Sequence, residues 1–258
     1  MKNIIIAGPC LAESYELLDN VCNKLLNTID FNKFEYFFKA SYKKANRTSL
    51  HSPMGVGDIT ALEWIKDISI KYKVKTLTDV HSVEEVKIAS KYVDALQIPA
   101  FLSRQTELLL SAGETGKVIN IKKAQFMAPD DIIKAAEKVK STGNTNIFIT
   151  ERGTFFGYKD LVVDFRSLIF LKNYEYPVIY DCTHSVQKPS LTNISGGDRN
   201  YIEPLTFAAI STGIQGIFFE THTNPELALS DSSTQLPLDT IDNFLNKVTK
   251  FFDFRNSL

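Results

Sequence analysis

The sequence predicts an α/β protein folded as a single-domain (β/α)8, or TIM, barrel spanning residues 1–258. Three observations predict it. Short β-branched and aromatic runs alternate with longer amphipathic stretches along the whole chain. The alternation repeats eight times, as a barrel of about 250 residues requires. Nearly every β run stops at a polar or ionisable residue, and in a barrel those ends converge on one face. A doubly wound open sheet shares the alternation, but the unit count and the loaded strand ends favour the barrel.

Taken in order, Ile4 to Ala7 reads as the first strand and Glu13 to Thr28 as the first helix. Tyr36 to Ala40 follows, then a helix over Asp58 to Tyr72 with Ile59, Leu62, Ile65 and Ile68 three apart, a stripe for packing on a sheet. Lys75 to Val80 is the third strand. Ser82 then opens a helix with Glu85 three residues on, a capping-box pattern. The fourth to sixth strands are Ala95 to Ile98, Val118 to Ile121 and Ile147 to Thr150. Their helices run over Gln105 to Glu114, Pro129 to Lys140 and Val162 to Lys172. Val178 to Tyr180 and Gly216 to Phe219 complete the strands, with helices over Pro204 to Thr212 and Asp239 to Phe251.

Composition is that of a globular chain, 44% hydrophobic and 23% charged. A net charge of -1 argues against general nucleic-acid binding, which needs an excess of Lys and Arg. No stretch reaches the length of a membrane span, and the N-terminus is too briefly apolar for a signal peptide. Three unpaired cysteines, Cys10, Cys22 and Cys182, fit a reduced, cytoplasmic protein.

Following the strands, the ends carry Cys10; Lys39 and Ser41; Asp79 and His81; Gln97; Lys122 and Lys123; Glu151 and Arg152; Asp181 and His184; Glu220 and His222. Between Lys39 and His51 lie three lysines, an arginine, an asparagine and four hydroxyls, with no Asp or Glu. A basic surface turn is the plain reading of that run; a site for phosphates or carboxylates is the sharper one. Lys39, Lys44, Lys122 and Arg152 from separate strands would together impose a positive field on a cleft. Any of them could equally be a satisfied rim salt bridge, for instance Lys122 with Glu151. Arg152 offers a planar fork suited to bidentate anion binding.

Cys10, His184, Glu220 and Asp231 form a second grouping, since the first and eighth strands of a closed barrel are neighbours. Thiolate, imidazole and carboxylates suit Zn(II), Fe(II) or a similar divalent ion. A lone cysteine after a strand is more often a packed small residue, and no short ligand motif marks the set. His81 and His222 serve equally as structural hydrogen-bonders or as groups behind the site. Gln187 to Arg199, with Pro189 and Gly196-Gly197, reads as a lid over the rim or as a disordered insertion.

Ala7-Gly-Pro-Cys10, Lys44-Ala-Asn-Arg-Thr-Ser49, Thr78-Asp-Val-His81, Gln97-Ile-Pro-Ala-Phe101, Arg104-Gln-Thr106, Asn120-Ile-Lys-Lys123, Thr150-Glu-Arg-Gly153, Phe156-Gly-Tyr158, Thr183-His-Ser-Val-Gln187, Leu229-Ser-Asp231 and Ser233-Thr-Gln-Leu-Pro237 occur in that order. In this the chain resembles the 3-deoxy-D-manno-octulosonate 8-phosphate synthases, also called 2-dehydro-3-deoxyphosphooctonate aldolases. No single piece is decisive; their order and coverage are specific.

The resemblance implies a barrel, usually a homotetramer, in the cytoplasm of Gram-negative bacteria. It implies condensation of phosphoenolpyruvate with D-arabinose 5-phosphate and water, for lipopolysaccharide synthesis. By the same resemblance, Lys39, Ser41 and Lys44 face the enolpyruvyl carboxylate, and Lys122 and Arg152 hold its phosphate. Gln97 and Ala100 belong to the substrate-binding set. Asn46 meets the sugar, with Arg47 and Thr48 on the arabinose phosphate, and Asp79 and His81 lie near the reacting carbons. Catalytic roles fall to Lys44, Asp79, His81, Lys122, Arg152 and His184.

Cys10 stands where the metal-independent class has Asn, so the resemblance implies a divalent metal on Cys10, His184, Glu220 and Asp231, and no organic cofactor. Departures are a shorter lid around Ser190 to Asn200, His51-Ser-Pro-Met-Gly55 in place of Phe-Arg, and Cys182 in place of Ala, which would set a second thiol near the metal. The related enzyme that uses erythrose 4-phosphate usually has Lys-Pro-Arg-Thr-Ser; here Asn46 favours the five-carbon sugar. A Schiff-base aldolase on Lys122 is a further rival.

Overall fold

The structure is a computed structural model that describes residues 2–45, 54–156, 160–188 and 196–258. Its barrel strands are β1 (Asn3–Gly8), β2 (Phe34–Lys39), β3 (Lys75–Asp79), β4 (Ala95–Ile98), β5 (Val118–Lys122), β6 (Ile147–Glu151), β7 (Val178–Asp181) and β8 (Gly216–His222). Each pairs in parallel with its sequence neighbour. β1 also pairs in parallel with β8, Ile4 opposite Gly216 and Gly8 opposite Glu220, so the sheet closes. The helices between and after them are α1 (Tyr15–Thr28), α2 (Asp58–Tyr72), α3 (Val83–Ala89), α4 (Thr106–Glu114), α5 (Asp131–Lys140), α6 (Phe165–Leu171), α7 (Ile202–Ser211) and α8 (Ile241–Asn256).

Strand side chains alternate between faces, so residues two apart share one. That period builds the barrel interior in layers. Ile4, Ile6, Phe37, Leu77, Ala95, Ile179 and Phe218 form an apolar cluster inside, with Val118 and Phe148 packed against it. Two residues further along the same strands come Lys39, Asp79, Gln97, Asn120, Thr150, Asp181 and Glu220, all buried and polar. The floor of the barrel is hydrocarbon and the layer above it is ionic. Gly8 leaves room for this arrangement: a Cβ there would lie 2.0 Å from the Lys39 carbonyl oxygen.

The opposite strand faces bury against the helices. On α2 the buried residues are Ala61, Leu62, Ile65 and Ile68, whereas Ile59 is exposed. The predicted stripe starts one turn later than expected, because only its last three members stay on the face that Ala61 shares. The sixth helix also starts later than Val162. Leu161–Val162 pairs antiparallel with Thr154–Phe155, and Asp164 caps the helix by accepting from the Arg166 amide. At α3, Ser82 caps as predicted, accepting from the Glu85 amide at 3.2 Å. The Glu85 carboxylate does not complete the box on Ser82; it reaches to the His81 amide at 2.9 Å and the His81 ring at 2.7 Å.

Candidate active site

The carboxyl ends of the strands open into one pocket, lined among others by Lys39, Ser41, Lys44, Asp79, His81, Gln97, Ala100, Lys122, Arg152, His184, Glu220 and Asp231. Cys10 lies against it through Lys44 and Asp231. The structure therefore brings together every predicted site residue it describes. Asn46, Arg47 and Thr48 lie outside the described residues, as does most of the Ser190 to Asn200 lid. The base of that loop is held: Gln187–Lys188 pairs antiparallel with Gly196–Gly197. Gly197 packs so closely that a Cβ would meet Thr234 Cγ2 at 2.2 Å.

One half of the pocket is cationic. Lys122 Nζ lies 2.7 Å from Asp181 Oδ2 and 3.7 Å from the centroid of the Phe218 ring. The predicted pairing of Lys122 with Glu151 is not the one formed. Glu151 ends β6 with its side chain turned from the lumen, where Oε1 accepts from the Gly153 amide at 2.7 Å and Oε2 lies 3.5 Å from Lys123. Lys123 spends its donors on the Ala124 and Met127 carbonyls and Thr154 Oγ1, which makes it a loop brace. Residues two apart share a face, so Lys122 and Arg152 enter the pocket while their neighbours turn outward. Arg152 is buried; Nη2 donates to Gln187 Oε1 at 2.9 Å, and Nη1 has no partner among the described residues. An unpaired guanidinium N–H at that depth is a vacant place for an anion's oxygen.

The other half holds acids and the thiol. Lys39 Nζ lies 2.6 Å from Glu220 Oε1 and 3.0 Å from the Cys10 carbonyl. Cys10 donates to Asp231 Oδ2 at 3.1 Å, and Lys44 Nζ pairs with the same carboxylate while lying 3.2 Å from the Cys10 sulfur. Burial pushes the Cys10 thiol well up, and the Asp231 and Glu220 carboxylates push it further. Burial also opposes ionisation of Asp231, but Lys44 and His184 outweigh it and hold the acid below the usual carboxylate range. Asp231 has a left-handed backbone (φ 47°), a conformation that Asp tolerates better than most residues.

The sulfur of Cys10 and a carboxylate oxygen each from Glu220 and Asp231 lie within 4.8 Å of one another. Asp181 holds the Nδ1 side of His184 at 2.9 Å, which leaves Nε2 facing Glu220 Oε2 at 3.6 Å and Asp231 Oδ2 at 3.8 Å. Glu220 Oε2 is buried with no partner among the described residues. A ring nitrogen facing two carboxylates, beside an oxygen without a partner among the described residues and a sulfur, is a donor set that fits a divalent ion. Asp181 behind His184 is the kind of outer partner that orients a metal-binding imidazole.

Cys182 contributes nothing to this set. Asp181 faces the interior, so the next residue faces out, and Cys182 is buried in the core between barrel and helices. The expectation of a second thiol near the metal is therefore corrected.

Between the two halves runs a hydrogen-bonded belt. Thr150 Oγ1 donates to Asn120 Oδ1 at 2.6 Å, and Asn120 Nδ2 donates to Gln97 Oε1 at 2.8 Å. Gln97 Nε2 and Ser41 Oγ both donate to Asp79. Four adjacent strands, β3 to β6, are thus tied at one level, with Ser41 joining from just past β2. Burial alone would raise Asp79, yet Lys39 and the Ser41 hydroxyl hold it below the usual range. His81 is oriented by Glu85, whose carboxyl burial would raise; hydrogen bonds from Tyr42 and His81 bring it down to about 2.

Sequence reasoning placed Asp181 at a strand end without giving it a role, although its spacing of two from Ile179 put it on the lumen face. Glu85 was legible only as a cap. Gln187 lay within a quoted motif, and here it joins the two halves, with Nε2 donating to Asp231 Oδ1 at 3.0 Å and Oε1 accepting from Arg152. Gln125 lines the pocket with a buried Oε1 that has no partner among the described residues, and no pattern in the sequence marked it.

Buried lysines and an arginine on the carboxyl-end rim of a parallel barrel, interleaved with acids and a thiol, define a barrel enzyme that acts on strongly anionic small molecules. The chain belongs to the DAHP synthetase I family, matched over residues 1–254. It is 46% identical over 243 residues to the 2-dehydro-3-deoxyphosphooctonate aldolase of Fusobacterium nucleatum, covering 94% of this chain and 87% of that protein. The proteins of the same name from Granulibacter bethesdensis and Bartonella tribocorum are 45% and 43% identical, over 96% and 98% of this chain and 88% and 92% of theirs. Among the described residues no helix is long and apolar enough to cross a membrane.

Proposed function

We propose that the chain condenses phosphoenolpyruvate with D-arabinose 5-phosphate and water, giving 3-deoxy-D-manno-octulosonate 8-phosphate and inorganic phosphate. The observation that supports this most directly is Arg152, which lines the same pocket as Lys122 and is buried with one guanidinium nitrogen unpaired among the described residues. Those two cations hold the enolpyruvyl phosphate. Lys39, Ser41 and Lys44 serve its carboxylate, with Gln97 and Ala100 on the pocket wall. Asn46 meets the aldose, and Arg47 and Thr48 its phosphate, which a neighbouring subunit of a homotetramer completes.

C3 of the enol attacks the sugar aldehyde, water adds at C2, and the tetrahedral intermediate expels phosphate. Lys122 and Arg152 stabilise the charge that grows there. His81, held at Nδ1 by Glu85, moves a proton at Nε2 for the new hydroxyl. Asp79, fixed by Ser41 and Gln97, keeps the cations oriented toward the reacting carbons. Cys10, His184, Glu220 and Asp231 would hold a divalent ion, which would supply Lewis acidity and an orienting charge for the water or the aldehyde. The reaction runs in the cytoplasm and supplies lipopolysaccharide synthesis.

Phosphate release measured with each aldose tests this. D-arabinose 5-phosphate turns over faster than erythrose 4-phosphate; the reverse order would overturn the assignment. Borohydride added with substrate leaves no adduct on Lys122, since the proposed chemistry forms no Schiff base.

A further inference from the structure

Lys44 is placed oddly for a residue assigned only to a substrate. Its ammonium is shared between Asp231 Oδ2 and the Cys10 sulfur, two of the three groups whose donor atoms converge. Lys39, the other lysine in this half, is engaged differently, on the far oxygen of Glu220 and on a backbone carbonyl. Lys39 can stay where it is when an ion enters; Lys44 cannot, because a divalent cation on Cys10 and Asp231 would meet it head on. Lys44 has freedom to leave. It lies on a segment without regular structure, tied by its backbone amide to the Met54 carbonyl at 2.9 Å, and its side chain is partly exposed in the pocket.

We propose that Lys44 is the resident counter-cation of the metal-free site. Its ammonium competes with the divalent ion for Cys10 and Asp231, and an anionic substrate that draws Lys44 into the pocket tightens the ion's binding. This rests on the reading of Cys10, His184, Glu220 and Asp231 as metal ligands. Removing the lysine leaves the Cys10 sulfur and Asp231 without the ammonium they share, while Lys39 stays on Glu220, and this favours the ion. The coupling is reciprocal: whatever factor the substrate gives the ion, the ion gives the substrate. The cation-binding and anion-binding functions of the pocket are thereby linked through one side chain.

The test is calorimetric titration of the chelator-stripped full chain with cadmium, with and without phosphoenolpyruvate. The thiolate–cadmium charge-transfer absorbance reports ligation by Cys10. Lys44→Met binds cadmium about 10-fold or more tightly than the native chain, within the usual range of coupling between sites. At phosphoenolpyruvate concentrations that titration of each protein shows to be saturating, the substrate tightens cadmium binding to the native chain but not to Lys44→Met. Lys44→Arg, which keeps the charge, binds cadmium no more tightly than the native chain. Equal affinities for Lys44→Met and the native chain, or substrate coupling that survives in Lys44→Met, would overturn the competition while leaving the metal site in place. A native chain that binds no cadmium and shows no charge-transfer band would instead remove the metal reading itself, and the proposal with it.

Discussion

Lys122 and Asp181 form an ion pair at 2.7 Å in which neither side chain is more than 7% exposed. The same carboxylate also takes the amide and ring of His184. One acid thus joins both halves of the pocket, the buried lysine of the cationic half and the imidazole beside the thiol and acids. Asp181→Asn keeps the volume but removes the charge, leaving Lys122 buried without its partner. Breaking such a pair costs about 3–5 kcal/mol, read as a lowered urea midpoint. Loss of the outer partner of His184 lowers metal affinity about 10–100-fold. A variant with native stability and native metal affinity would show that Asp181 is incidental.

The belt from Thr150 through Asn120 and Gln97 to Asp79 makes a second prediction. Asn120→Leu matches the burial of the site but leaves Gln97 Oε1 and Thr150 Oγ1 unpaired. Each orphaned buried group costs about 1–3 kcal/mol. Pairing Asn120→Leu with Thr150→Val recovers part of that loss, because the double variant leaves one fewer orphan. A double-mutant cycle in urea measures the recovery, and strict additivity would argue that the belt is not a connected network.

Much of this architecture is legible in the sequence. Eight strand–helix units are a count, and a polar residue two positions beyond an apolar one is a spacing; both survive any detail of packing. Lys39 after Phe37, Asp79 after Leu77 and Glu220 after Phe218 follow from that spacing alone. Partners were not legible. Lys122 chose Asp181 over Glu151 because β6 turns Glu151 away from the lumen, a matter of strand parity across two elements. Cys182 was misplaced for the same reason. Ile59 was misjudged because a spacing of three drifts around a helix that turns every 3.6 residues. Glu85 fitted a local motif well enough to hide its contact with His81, which exists only because that ring folds back over α3.

Arg152 offers a direct test of the anion site. Lys in its place keeps one positive charge but loses the planar fork that bonds Gln187 through Nη2 and leaves Nη1 open. Arg152→Lys lowers kcat/KM for phosphoenolpyruvate by about 10²-fold or more, in line with removal of one preorganised donor. Saturation with D-arabinose 5-phosphate changes far less, since the proposed holders of that substrate's phosphate are Arg47 and Thr48. Equal losses for both substrates would mean that Arg152 does not distinguish them.

Glu85 sets an acid limit on the rim around His81. Its folded value of about 2 lies below the ordinary 4.5. The contribution is therefore complete above pH 4.5 and fades as pH falls from about 4.5 toward about 2. Glu85→Gln removes that part of the acid dependence. Denaturant midpoints taken across this interval fall less steeply for the variant than for the native chain. Parallel curves would show that the contacts of Glu85 with His81, Lys43 and Tyr42 do not depend on its charge.

The two thiols nearest the rim are expected to behave oppositely. Exhaustive chelation abolishes product formation by the native chain, and divalent ions restore it. Cys182 lies in the core between barrel and helices, so Cys182→Ala still retains metal after gel filtration and regains activity on reloading. Cys10→Ala removes the sulfur and leaves only the Glu220 and Asp231 carboxylates and the His184 ring of the proposed set. It loses most of its bound metal by elemental analysis, and added ions do not restore turnover at concentrations that saturate the native chain. Chelator-resistant activity in the native chain, or full activity in metal-free Cys10→Ala, would move the chemistry onto Lys122, Arg152 and His81 alone.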